Sequence, residues 1–299
     1  MGVMQRTPSP SAEDRDMART TRCAVASLAL LATGCTNDPT AAAPHTVGAV
    51  GATARSDAKA TTVACGSTLL TDLRLESDLT CPGDAIIVGA DDITLNLNGH
   101  TISGVGVGVG ITVRARQRVT IRGGQVRRFV TGIFVAQSTD VVVSHNELTE
   151  TREAVFLNGS SGNVVKNNVA WANQLRGIML RPTMAGIIST DNVVVENVLV
   201  DNPSGILLFG QPGNTFIANR ISGSSVAAID LTGGGASGNS FRGNKLSDSG
   251  VGIKFGPGWS GNDFFGNTLA GNVCGTQGST TGNTLQGNNF RANVGDSCP

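Results

Sequence analysis

GNSFRGNKLSDSG, residues 238–250, places Asn239 and Asn244 five residues apart with Phe241 between them. The phrase returns as GNTFIANRIS from Gly213, GNDFFGNTLA from Gly261 and GNTLQGNNFR from Gly282, with looser copies GNVVKNNVA from Gly162 and DNVVVENVLV from Asp191. The second asparagine falls at Asn146, Asn168, Asn197, Asn219, Asn244, Asn267 and Asn288, in steps of 22, 29, 22, 25, 23 and 21 residues. A second motif keeps the same beat: a small residue before Ile111, Ile133, Val155, Ile178, Ile206, Ile229 and Ile253. Two motifs in step define one repeating unit, and the step of 29 marks an insertion after Arg181.

The unit is read from its internal period. Ile206, Leu208, Phe216 and Ile221 alternate with other residues in short runs bounded by Gly, Asn, Ser and Pro, a pattern of strand, turn, strand, turn, strand. About 22 residues bury too little apolar surface to fold alone, so each unit must stack on its neighbours. Equivalent strands then run parallel, with the rest of each unit as the return path. The expected fold is an all-β, single-stranded parallel β-helix of about nine coils with disulfide-stapled ends. At about 4.8 Å per coil, the rod would be roughly 43 Å long. The recurring asparagine is expected at a coil corner, in the left-handed region, with its amide bonded to the asparagines of the coils above and below. A row of ligand-gripping amides is the weaker reading, because a ligand seldom needs the same contact at every turn.

Forty glycines in 299 residues, no tyrosine, 15% charged residues and zero formal net charge suit stacked β-coils. They argue against a nucleic-acid partner, which would need a basic face. Residues 1–35 read as an export signal. MARTTRCAVASLALLATGC from Met17 has two arginines followed by a short apolar run, and Glu13, Asp14 and Asp16 ahead of it point to Met17 as the true start. Leu31 to Cys35 resembles a lipoprotein box that would acylate Cys35; the alternative is ordinary cleavage near Ala43. Residues 36–64 lack apolar periodicity and are expected to form a flexible tether to a domain at 65–299.

Four cysteines remain, Cys65 and Cys81 before the first coil and Cys274 and Cys298 after the last regular one. Because a rod keeps its ends apart, local pairing of 65 with 81 and 274 with 298 is expected, closing ends that would otherwise recruit another chain. No CxxC motif supports a zinc site instead.

DDITLNLNGHTISG, 91–104, followed by the coils above, resembles the opening of right-handed parallel β-helix proteins of the pectin-lyase-like superfamily, in particular NosD-like repeat proteins, over about residues 65–293. The resemblance implies the fold but little about function, since that superfamily includes polysaccharide lyases, glycosidases, epimerases, copper-insertion accessory proteins and adhesins. For the copper role the ligands are too few: His45, His100, His145, Met179 and Met184. No metal and no cofactor is expected. His100, in the ladder position, and His145 read as turn residues, as do Asp91 and Asp92.

If the Ile and Val positions of the second motif point inward, their neighbours stack outward in a column of Thr112, Phe134, Phe156, Met179, Leu207, Asp230 and Lys254. A second outward column holds Arg114, Ala136, Asn158, Arg181, Phe209, Thr232 and Gly256. Phe134, Phe156, Met179 and Leu207, with Phe209 beside them, form the candidate ligand-binding patch. It is either an open platform about 14 Å long or a face covered by the insertion that contains Met184. The candidate catalytic residues are Asp230 as a base, with Lys254 and Arg181 holding a uronate carboxylate; the competing account is a surface ion pair. Glu147, Glu150, Arg152, Glu153 and Arg176 read as a solvated salt-bridge cluster. The function expected is an extracytoplasmic, monomeric binding or scaffold module with polysaccharide as its partner. A polysaccharide lyase or epimerase and a protein-contact module are the alternatives.

Overall fold

Each repeat contributes three short strands, and the inward residue of each strand stacks directly on its counterpart one coil away. A computed structural model describes residues 63–299. The first sheet has 11 parallel strands, from Ser67–Leu69 to Gly295–Cys298. The second has 10, from Leu73–Arg74 to Thr284–Gln286, and the third 10, from Leu79–Thr80 to Asn289–Arg291. Successive neighbours within a sheet are always three strands apart in sequence, so each turn visits all three sheets once. The result is a right-handed parallel β-helix, the hand that parallel crossovers favour. It has ten complete turns and a closing strand, one turn more than the nine expected, because the short strands Leu73–Arg74 and Leu79–Thr80 complete a turn before the asparagine repeat begins. The export signal, Cys35 and the tether as far as residue 62 lie outside the described residues.

The interior is a set of matched columns. Ile111, Ile133, Val155, Ile178, Ile206, Ile229 and Ile253 are all at most 1% exposed, as the alternation requires. In the second sheet Phe216, Phe241 and Phe264 stack at 4.7 and 4.5 Å with interplanar angles of 9° and 1°, adding ring–ring attraction to burial. The small residue before each inward Ile has a steric cause. A Cβ on Gly132 would lie 2.6 Å from the carbonyl oxygen of Ala154 and 3.0 Å from Leu148 Cδ2, so only glycine, or alanine where the coils relax, fits there.

The asparagines are buried rather than perched on the corners. Asn168, Asn197, Asn219, Asn244 and Asn267 are at most 1% exposed. The left-handed residue is the one before each: His145, Asn167, Glu196, Ala218, Gly243, Gly266 and Gly287 have φ between 52° and 66°. That residue makes the corner and turns the following amide inward, where it meets its copies. Asn168 is typical. Its backbone N–H and Nδ2 both donate to Asn197 Oδ1, at 3.0 and 3.1 Å, and Nδ2 also donates to the carbonyl of Val143 at 2.8 Å. One oxygen thus takes two donors from the coil before it, using both lone pairs.

Three such ladders run up the rod. One passes through Asn163, Asn192, Asn214, Asn239, Asn262 and Asn283, and one through Asn146 to Asn288. The third joins Thr151, Asn173 and Asn202, then Ser224, Ser249, Asn272 and Asn293. The third was missed in the sequence because serines interrupt it, although Asn173, Asn202, Asn272 and Asn293 each follow a second-ladder asparagine by five residues. His100 sits in the second-ladder column, its Nδ1 3.3 Å from Asp78 Oδ1, and His145 is a left-handed turn residue.

Disulfides link Cys65 to Cys81 and Cys274 to Cys298, with Cα separations of 5.5 and 5.9 Å. They lie within the terminal coils rather than outside them. The first encloses all three strands of the opening coil; Cys274 and Cys298 belong to adjacent strands of the first sheet.

Candidate functional site

The longest strands lie in the middle of the first sheet: Val109–Arg114, Thr131–Ala136, Glu153–Asn158 and Arg176–Arg181, six residues each. Their length widens one flat outer face there. Pairing register aligns Thr112, Phe134, Phe156, Met179, Leu207, Asp230 and Lys254 in one column, and Arg114, Ala136, Asn158 and Arg181 in the next. Exposure changes along the first column. Phe134 and Phe156 are half-buried, with ring centroids 5.2 Å apart, whereas Met179 and Leu207 are each only 5% exposed. The apolar stripe is therefore accessible at its phenylalanine end and closed at its aliphatic end.

Two arginines border this stripe, each over an aromatic ring. Arg114 lies 5.5 Å from the Phe134 centroid, and Arg181 lies 5.5 Å from that of Phe209, which is exposed. Cation–π attraction holds the guanidinium planes at the rim, where their N–H groups can still bind hydroxyl or carboxylate oxygens.

Asp230 departs from the surface ion pair weighed in the sequence. It is 7% exposed; Ser204 Oγ donates to its Oδ2 at 3.0 Å, and Thr232 donates from N and Oγ1 to its Oδ1 at 3.1 and 2.6 Å. Lys254 is its register neighbour, but among the described residues the two form no ion pair. Ser204 and Thr232 thus orient the carboxylate instead of Lys254. The glutamate cluster also differs from expectation. Glu153 is buried at 8% exposure and accepts from Arg176 Nη1 at 3.1 Å, with Arg152 Nε at 3.9 Å. Glu150 faces Arg128 at 4.0 Å, and Glu147 accepts from Trp171 Nε1 at 3.1 Å. These acids are kept apart because Glu147 opens a strand of the third sheet, Glu150 sits in the turn after it and Glu153 opens a strand of the first sheet.

The insertion after Arg181 folds on itself. Thr183 N donates to Ile187 O at 2.8 Å, Gly186 N to Thr183 O at 3.0 Å, and Asn158 Nδ2 to Pro182 O at 2.9 Å. These contacts lie at the strand ends, beside Asn158 and Gly159, and Met184 is fully exposed. The loop's bonds do not reach Phe134 or Phe156. Among the described residues, no group of three or more His, Cys, Asp or Glu side chains is placed to hold a metal ion. The face offers apolar rungs, two rim guanidiniums and one oriented carboxylate.

A stack of parallel coils with such a face on its first sheet defines a class of elongated β-helix protein. The chain matches the family model described as "Right handed beta helix region" over residues 84–246, and it belongs to that family. It is a right-handed parallel β-helix protein. Among solved structures it is similar to the periplasmic alginate epimerase AlgG, with a TM-score of 0.56 and 13% identity over 73% of this chain and 60% of that one. It is also similar to an alginate lyase from Paenibacillus sp. str. FPU-7, with a TM-score of 0.54 and 14% identity over 75% of this chain and 99% of that one. The chain therefore spans about three fifths of the epimerase's length. At these identities the likeness is one of fold. No curated protein sequence matches the chain.

Proposed function

We propose that this protein is an extracytoplasmic binding or scaffold module whose partner is a polysaccharide. The carrying observation is the half-buried Phe134–Phe156 pair on a flat face, bordered by guanidiniums stacked on aromatic rings. A pyranose has apolar ring faces and a polar equator. Aromatic rungs serve the faces, and the rim N–H groups of Arg114 and Arg181 serve the equator. Coils repeat at about 4.8 Å, so successive rungs can engage successive parts of a long polymer. The fold shared with an alginate epimerase and an alginate lyase supports a carbohydrate partner. The two disulfides support an oxidising compartment. In this reading the chain is exported, held to the membrane through lipidated Cys35, and monomeric.

A second reading, a polysaccharide lyase or epimerase, draws on Asp230, whose carboxylate is oriented beside Lys254 and within the same face as Arg181. Binding is favoured because Asp230 is held by Ser204 and Thr232 and, among the described residues, no second acid is hydrogen-bonded beside it. The deciding experiment is affinity electrophoresis of the full chain through gels containing alginate, pectate or neutral glycans, with absorbance of unsaturated uronate followed in the same mixtures. Retardation with neither unsaturated product nor a changed uronate composition supports the binding module; unsaturated product moves the assignment to a lyase, and a changed uronate composition moves it to an epimerase. Free migration through every glycan refutes both.

A further inference from the structure

Phe265 stands where nothing in the architecture calls for an aromatic ring. It is an outward residue of the second sheet, a different sheet from the one carrying Phe134, and it is 51% exposed. Its chain neighbour Phe264 is the inward residue and already fills the core at 0% exposure. Register places Arg242 one coil before Phe265 and Gln286 one coil after, while Ser240, Asp263 and Thr284 form the adjoining outward column. Together Arg242, Asp263, Phe265, Thr284 and Gln286 line a shallow cleft of about 230 Å³.

The lining has a specific chemistry. Arg242 Nε donates to Ser240 Oγ at 2.7 Å, which steadies the guanidinium, and its Nη groups make no bond among the described residues. Asp263 supplies acceptors, Gln286 both a donor and an acceptor, and Thr284 a hydroxyl. The one cation and the one anion leave the lining without net charge. The ring offers a flat apolar surface of the kind that stacks on the C–H face of a sugar. The volume is below the roughly 300 Å³ at which drug-sized pockets begin, enough for one ring. We propose that this cleft binds a single neutral pyranose residue of a glycan. It is independent of the first-sheet face, whose two rim groups are both cationic.

The test is saturation-transfer-difference NMR on the full chain, with methyl β-D-glucopyranoside, methyl β-D-galactopyranoside and methyl α-D-mannopyranoside as probes. The expected result is transfer to the ring protons of at least one glycoside, weakened about tenfold by Phe265→Ala and by Arg242→Ala. All arms are run in the Phe134→Ser/Phe156→Ser background, which removes the proposed polysaccharide face, so that the transfer measured belongs to the cleft. Asp263→Asn, a change on an exposed side chain, also lowers the signal without altering the circular dichroism spectrum. The proposal is overturned if none of the three glycosides receives saturation or if transfer survives Phe265→Ala. Equal transfer to methyl glucuronate would also overturn it. A concentration-dependent dimer that Phe265→Ala abolishes, with no transfer to any sugar, would assign the cleft to a second copy of the chain and overturn it as well.

Discussion

Replacing Asn244 by alanine tests whether the ladders are architecture. The side chain makes four hydrogen bonds: Oδ1 accepts from Asn219 N and Asn219 Nδ2, both at 3.0 Å, and Nδ2 donates to Phe216 O at 3.0 Å and Asn267 Oδ1 at 2.9 Å. Asn244 N still donates to Asn267 Oδ1 at 2.9 Å after the change, so that oxygen keeps a partner. Three bonds leave buried groups short of a partner: the Asn219 N–H, the Asn219 amide and the Phe216 carbonyl. Each stripped group costs about 1–3 kcal/mol, and at the lower end the sum is about 3 kcal/mol. For a domain of this size, that corresponds to a fall in Tm of about 6–12 °C. Urea unfolding, followed by circular dichroism and by fluorescence of Trp259, which is buried at 3% exposure, measures it. Asn288→Ala is the internal control: it removes the equivalent three bonds, to Asn267 N, Asn267 Nδ2 and Phe264 O, but at a half-buried terminal coil where water can replace them, so a smaller loss is expected. A loss below about 1 kcal/mol for Asn244→Ala, or a change in polysaccharide binding at unchanged stability, would refute the ladder argument.

Phe134→Ser with Phe156→Ser is expected to weaken polysaccharide retention about tenfold or more while lowering Tm by only a few degrees, because both rings are half-buried; retention unchanged in affinity electrophoresis would show the face to be idle. Replacing Cys65 and Cys81 by serine opens a loop of sequence separation 16 and should cost about 3 kcal/mol in the chain-entropy account. Non-reducing peptide mapping of the parent should recover the 65–81 and 274–298 linkages, and a bridge between the two ends would contradict the rod. Acid should destabilise the amino-terminal coils. Arg118, bonded to Asp92 at 2.9 Å, holds that carboxylate below its ordinary value of 3.8, and the Thr101 N–H, with His100, does the same for Asp78. Depressed folded values mean stability that is complete above the ordinary value and lost as pH falls through the lowered ones, so the loss appears below about pH 4. In thermal melts across that range Asp92→Asn should flatten the pH dependence, and an identical profile would remove Asp92 from the account.

The repeat, the strand alternation and the local disulfide pairing at each end were legible in the chain by itself. A parallel stack converts a sequence period into contact: residues about 22 apart become neighbours, so a column such as Thr112 to Lys254 can be read off before any coordinates exist. The interior was legible for the same reason, since Ile206, Leu208, Phe216 and Ile221 alternate within runs too short to be anything but strands. Register, however, fixes only which backbone lies beside which. It does not say which side chain a polar group will choose. Asp230 faces Lys254 in register, yet bonds Ser204 from the preceding strand and Thr232 just past the end of its own. Glu153 became a buried partner of Arg176 rather than a member of a solvated cluster. The left-handed corner fell one residue before each asparagine, because an amide in a ladder must point inward to meet its copies and the preceding residue makes the bend. The Phe265 cleft also emerged only from the tertiary structure. Its residues come from three successive coils, and their shared chemistry depends on the rotation of each side chain about the sheet, which periodicity leaves open.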